Sequence, residues 1–201
     1  MLNLRAGHAQ GTLPDGRVLV ADGFTGTTTS SIVELLTITC PTGTPTNTPT
    51  FSPTASPTCA PATFSNPASI AINDNAAGLP YPSNIMVSGL PGSVTKVTVS
   101  LVGVSHSYPD DIDVLLVSPN GENTLLMSDT GGRNDIANVD LQFDDTVQVA
   151  LPDDTRIVGG TFGPTNFDLT TDVFPAPAPS PGGPVAMGVF IGTNPNGVWS
   201  L

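Results

Sequence analysis

Val97-Thr98-Val99-Ser100-Leu101 and, shortly after, Ile112-Asp113-Val114-Leu115-Leu116-Val117 decide how this chain folds. In the first stretch apolar and hydroxyl side chains alternate, the period of a strand with one face in a core and one toward water. The second, from Ile112 to Val117, is almost continuously apolar, as expected of a strand buried on both sides. Pro119-Asn120-Gly121 then marks a turn ahead of a further strand over Thr124 to Met127. Working outward by the same signals, strands are predicted over Ser69 to Ile72, Ile85 to Ser88, Val139 to Phe143, Ala186 to Ile191 and Val198 to Leu201. Short strands separated by turn residues give an all-β fold, an antiparallel sandwich.

Composition agrees. The 201 residues include 21 Gly and 21 Pro, and only 11% are charged; no amphipathic helix stands out. Lys plus Arg total 5 against 17 Asp plus Glu, for a formal net charge of −12. Phosphate backbones are held by clustered Lys and Arg, so nucleic acid is excluded as a partner, and anionic membrane surfaces are disfavoured for the same reason. The longest apolar-leaning run, Ser31 to Ile38, is too short to span a bilayer, so membrane insertion is not expected. Met1 to Gln10 lacks a basic-then-apolar signal pattern. Acidity suits a secreted or cell-surface protein, or one that binds hard cations through carboxylates.

Three segments follow one another. Residues 40–61 carry Pro at every fourth position (Pro41, Pro45, Pro49, Pro53, Pro57, Pro61), usually followed by Thr. Proline removes a donor and fixes φ, so this is an extended spacer rising about 3.1 Å per residue, its hydroxyls compatible with O-glycosylation. Cys40 and Cys59 flank most of it. They pair only if the spacer folds back, and free thiols or other partners are equally open. Before the spacer, residues 1–39 hold Gly7-His8, Leu13-Pro14-Asp15-Gly16-Arg17-Val18-Leu19-Val20 and Ser30-Ser31 with Glu34-Leu35. Pro14-Asp15-Gly16 between β-prone runs predicts a hairpin. The segment resembles one repeat of bacterial kelch-type β-propellers, with Asp22 where a glycine doublet is usual. One repeat cannot complete a core, so the resemblance implies the last blade of a propeller whose remainder is missing.

Residues 62–201 form the segment able to fold alone. Its landmarks include Tyr81-Pro82-Ser83 with Val87-Ser88-Gly89, Val97 to Leu101, and Ser105-His106-Ser107-Tyr108-Pro109-Asp110-Asp111-Ile112-Asp113-Val114-Leu115-Leu116-Val117-Ser118-Pro119-Asn120-Gly121. Leu126-Met127-Ser128-Asp129 with Gly131-Gly132, Phe143-Asp144-Asp145, and Gly192-Thr193-Asn194-Pro195-Asn196-Gly197-Val198-Trp199-Ser200-Leu201 continue them in order. In this order they resemble the P domain, or Homo B, of subtilisin-like proprotein convertases in its bacterial form. The resemblance implies a jelly-roll-like β-sandwich without catalytic residues, which in the convertases packs on the protease domain and stabilises it. In bacteria such domains are also appended to other secreted proteases and to surface proteins. The family continues for a strand or two beyond the Trp199 strand, so the resemblance implies a domain cut short at its C-terminus.

For chemistry, the strongest pattern is acidic. Asp111 and Asp113 are two apart on an extended stretch, hence on one face. Asp110 stands at its entrance, while Asp129, Asp135, Asp140, Asp144 and Asp145 fall in or near turns. Such a cluster repels itself unless a hard cation or protons relieve it, which points to Ca2+ held by Asp110, Asp111, Asp113, Asp129, Asp144 and Asp145. The alternative is a solvated acidic rim. It is no EF-hand, because Asp111 to Asn123 lacks the alternating oxygen ligands and central glycine. Zinc-type spacing is absent from Cys40, Cys59, His8 and His106. Ser105 and His106, as strand neighbours, point to opposite faces, and no nucleophile-elbow pattern occurs, so no catalytic residues are expected. Trp199 and Phe143 are read as core. The function expected is that of a non-catalytic accessory or interaction module, stabilising or docking a neighbouring domain or an extracellular protein. The alternative is the C-terminal P domain of a secreted subtilisin-like serine endopeptidase. Upstream sequence separates the two, and the kelch-like repeat favours the first. Carbohydrate binding rests on fold analogy alone.

Overall fold

The structure, a computed structural model, describes residues 61–73, 76–168, 172–182 and 185–201, and the backbone of strands β1 (His8–Thr12), β2 (Val18–Asp22) and β3 (Val33–Thr39). The strands that follow are β4 (Ala62–Asn66), β5 (Ala71–Asn73), β6 (Ala76–Leu79), β7 (Asn84–Val87) and β8 (Lys96–His106). After them come β9 (Val114–Val117), β10 (Asn123–Ser128), β11 (Ile136–Phe143), β12 (Gly160–Phe162), β13 (Thr165–Asn166) and β14 (Gly197–Ser200). The fold is all-β. One five-stranded sheet runs β12-β11-β8-β3-β4 and a second runs β13-β10-β9-β14-β7. Val97, Val99, Leu101, Leu141 and Phe143 of the first meet Val114, Leu116, Leu126, Met127 and Trp199 of the second in one buried cluster. The arrangement is sandwich-like. Two antiparallel hairpins, β1-β2 and β5-β6, form small separate sheets.

The hairpin expected around Pro14-Asp15-Gly16 is present as β1 paired with β2, Thr12 opposite Val18; the turn residues themselves, and Cys40, Cys59 and the spacer through residue 60, lie outside the described residues. β3, from the segment preceding the spacer, hydrogen-bonds between β8 and β4, with Leu36 opposite Val99. The sheets are not wholly antiparallel as the sequence suggested. β12 runs parallel to β11 and β13 parallel to β10. The physical reason is length: residues 144–159 are long enough to bring the chain back to the start of the ladder, which a parallel pairing requires. Only Gly163 and Pro164 separate β12 from β13, so the chain steps directly from one sheet to the other there.

A second correction concerns Ala186 to Ile191, which is not a strand. Met187–Phe190 is a 3-10 turn. Its buried residues, Met187 and Phe190, are spaced three apart, the 3-10 period rather than the strand period. Phe190 stands edge-on to Trp199, ring centroids 5.1 Å apart, and Trp199 Nε1 donates to the Pro195 carbonyl at 2.8 Å. Trp199 and Phe143, 1% and 0% exposed, are core as read. Ser69 to Ile72 contributes only the short β5, while β4, β12 and β13 carry no strand signal that the sequence reading used.

Bulges set which side chains face the core. On β8 the register passes from Leu101–Leu141 to Val104–Val139, three steps against two, around Gly103 at φ 72. That conformation is readily open only to glycine, and the Gly103 N–H donates to Asp140 Oδ1 at 2.9 Å. On β10 the register passes from Leu125–Leu115 to Met127–Val114, two steps against one. Leu126 and Met127 consequently both enter the core, and Ser128 is turned to the outer face.

Phe190→Ala removes a fully buried ring that seats Trp199; chemical denaturation is expected to show a loss of roughly 3–5 kcal/mol.

Candidate functional site

The outer face of the second sheet is where the acidic residues gather. β9 and β10 are antiparallel, so the entrance of one and the exit of the other, Asp113 and Ser128-Asp129, lie at the same end of the sheet. β13 runs parallel to β10 with Asn166 opposite Ser128, which delivers the chain after it to that end as well. Asp172 arrives by this route.

Ser128 is the meeting point. Its Oγ lies 2.6 Å from Asp113 Oδ1, 2.5 Å from Asp172 Oδ1 and 3.1 Å from Asp129 Oδ2. A hydroxyl has one proton to donate, so it satisfies one of these carboxylates at a time. Asp172 Oδ2 also accepts from Asn166 Nδ2 at 2.6 Å. The other two contacts set carboxylate oxygens beside a hydroxyl that has no proton left for them. Directly after Asp129, the Thr130 side chain is 0% exposed and its Oγ1 has no hydrogen-bond partner.

A cavity of about 780 Å3 opens beside this cluster. Its acidic end is Asp110, Asp111, Asp113, Asp129 and Asp172, and among the described residues its lining contains no Lys, Arg or His. Leu115 and Val117 of β9, with Val173, Phe174, Pro175 and Pro177, supply its apolar lining. Residues 172–182 cross the outer face as a proline-rich strap. It is tied at the exit of β10 by Asp172 on Ser128, at its entrance by the Gly182 N–H on Asn123 Oδ1 (3.1 Å), and at Tyr81, whose hydroxyl donates to the Pro175 carbonyl at 2.8 Å.

Burial and repulsion raise the pKa of several of these groups. Burial pushes Asp113 up; its hydrogen bond from Ser128 opposes this, and Asp172, Asp129 and Asp111 add to the rise. Burial raises Asp129; hydrogen bonds from Ser128 and the Asp168 backbone oppose this, and repulsion from Asp172 and Asp110 adds to the rise. Asp110 is raised by burial and by Asp111, Asp153 and Asp154, against a hydrogen bond from the Gly132 backbone.

Of the six aspartates that the sequence singled out, the structure thus brings together Asp110, Asp111, Asp113 and Asp129. Asp144 and Asp145 go elsewhere. Asp144 follows β11 and pairs with Lys96 at 2.7 Å, while Asp145 Oδ1 accepts from the Met187 N–H at 2.9 Å. Burial alone would raise Asp144, but hydrogen bonds from Lys96 and Thr146 and the Lys96 charge hold it below the usual carboxylate range. Asp140 receives the Gly103 N–H. Ser105 Oγ accepts from the Asn138 N–H at 2.7 Å, and His106 Nδ1 is turned to the backbone of Tyr108. Asp172 and Ser128 were missed, since nothing in the strand pattern links them; only the parallel β10-β13 pairing does.

The donors at Ser128, all carboxylate and hydroxyl oxygens, are those of a hard cation. Among the described residues, however, no group of three His, Cys, Asp or Glu side chains is arranged to hold a metal ion. No described helix is long and apolar enough to cross a membrane. No family model matches the chain, and no solved structure matches it.

The raised carboxyls give a pH dependence of definite sign. Between the ordinary aspartate value, about 3.9, and their raised values, the folded chain holds more protons than the unfolded one, so stability falls as pH rises through that window. Asp144 acts oppositely, its contribution present above the ordinary value and lost as pH falls through its depressed one. In chelator, Tm is expected to climb as pH drops through that window toward the ordinary aspartate value, and to climb less in Asp113→Asn. A Tm that falls throughout that range would contradict the repulsion described here.

Proposed function

We propose that this chain is a non-catalytic interaction module of a secreted or cell-surface protein, docking a neighbouring domain or an extracellular protein through the acidic end of its sandwich. One observation supports this above the others: a cavity bordered by Asp110, Asp111, Asp113, Asp129 and Asp172, with no cation in its described lining, beside apolar lining residues. An arrangement of uncompensated charge is costly in a fold with nothing to bind, and such local conflict is characteristic of sites shaped by function. The sequence resemblance to the P domain supports the same reading and carries with it the jelly-roll-like topology and the accessory role. Calcium enters the proposal as counter-charge to the acidic end, on its oxygen donor chemistry alone.

The proposal is tested by removing the charge. Asp113→Asn and Asp172→Asn each keep the side-chain shape and a polar partner for Ser128. If the cluster exists to bind, each substitution relieves repulsion and raises Tm, by about 2–4 °C per kcal/mol gained in a chain of this size. Millimolar Ca2+ should raise the Tm of the unsubstituted chain and leave the double variant nearly unmoved. A fall in Tm on both substitutions would make these carboxylates structural and refute the docking reading.

A further inference from the structure

Resting on that docking reading, we infer the chemistry of the partner: an extended, arginine-bearing segment of another protein, its guanidinium among Asp113, Asp129 and Asp172 and its flanking residues along the proline-walled cavity. The cavity, about 780 Å3, lies within the range of small-ligand and peptide pockets and exceeds what a single ion fills. Its apolar lining includes Leu115, Val117 and Phe174, so the space is suited to an occupant with an apolar stem.

Chemistry narrows the choice. One end presents carboxylates converging on a hydroxyl with a single proton, and the walls beyond are Leu115, Val117, Phe174, Pro175 and Pro177. The complementary ligand is cationic at its tip and apolar along its stem. Arginine and lysine both have that form, but only arginine offers a planar fork of several N–H donors, able to serve more than one carboxylate at once. An ammonium is a compact, strongly hydrated charge that matches the spread of acceptors less well.

The partner's identity as another protein follows from charge. A second copy of this chain carries the same net −12 and few cations, so copies repel one another at this end. Nucleic acid is repelled more strongly. A protein segment with one exposed arginine between small or proline residues is drawn in by the acidic end, and its flanking residues can lie along the proline-lined wall.

The test is isothermal titration calorimetry on the full chain in chelator at low salt, with the blocked peptide Ala-Pro-Arg-Pro-Ala and the same peptide carrying citrulline, the neutral isostere, for arginine. Expected are saturable binding of the arginine peptide and affinity at least about tenfold lower for citrulline. A similar loss should follow Asp172→Asn, and no change should follow Asp144→Asn at the far end of the sandwich. Equal affinity for the two peptides, no binding, or equal loss in both variants would overturn the inference. Should no peptide bind while Asp113→Asn and Asp172→Asn still raise Tm, the arginine partner falls and the docking reading stands. Should both substitutions lower Tm, the docking reading itself falls.

Discussion

Leu115 and Leu125 face away from the sandwich interior, opposite one another in the β9-β10 ladder, yet they are only 4% and 5% exposed. Their neighbours Val114, Leu116 and Leu126 fill the interior between the sheets. The pair of strands is therefore buried on both faces, and this double burial constrains everything around it. A strand pair at the outside of a two-sheet fold normally shows one face to water; here a proline-rich strap crosses the outer face instead. Proline suits the task, because a strap lying on side chains rather than on a sheet edge has no ladder donors to give. It must be fastened by other groups, and Asp172, the Pro175 carbonyl and the Gly182 N–H do this at Ser128, Tyr81 and Asn123. The fastening at Ser128 is the one that adds a third carboxylate to Asp113 and Asp129. The cavity and the charge conflict thus share one cause.

Much of the sandwich was legible in the sequence because strand periodicity is a local property. Val97 to Leu101 alternates, and the alternation alone assigns its faces; the apolar run ending at Val117 announced two-sided burial before the strap was known. What local patterns do not contain is register. The β10 bulge lets Leu126 and Met127 enter the core together and turns Ser128 outward, and no pattern in Thr124 to Met127 reveals it. The parallel edge strands β12 and β13 are too short to show a period, and their pairing depends on the length of the connection before them. Asp172 was invisible for the same reason: it reaches Ser128 across 44 positions of sequence. Ala186 to Ile191 misled because an apolar run of that length serves a strand or a 3-10 turn equally well until the spacing of its buried residues is seen.

The chain twice presents adjacent aspartates at a strand end, Asp110-Asp111 beyond β8 and Asp144-Asp145 beyond β11, and the two have opposite fates. β8 and β11 are antiparallel, with Phe143 opposite Val99, so Asp144 emerges beside Lys96 at the start of β8. The ion pair there and the Thr146 hydrogen bonds lower its pKa. Asp110 emerges past the other end of β8, which by strand rise is roughly 33 Å away. Its charged neighbours are Asp111, Asp153 and Asp154, and its pKa is raised. Local sequence is nearly the same in both places; what differs is whether the register supplies a cation. With Lys plus Arg totalling only 5 in the whole chain, one stands at the β11 end and none in the described lining of the cavity, so the carboxylates there repel one another with no cation of the lining to offset them.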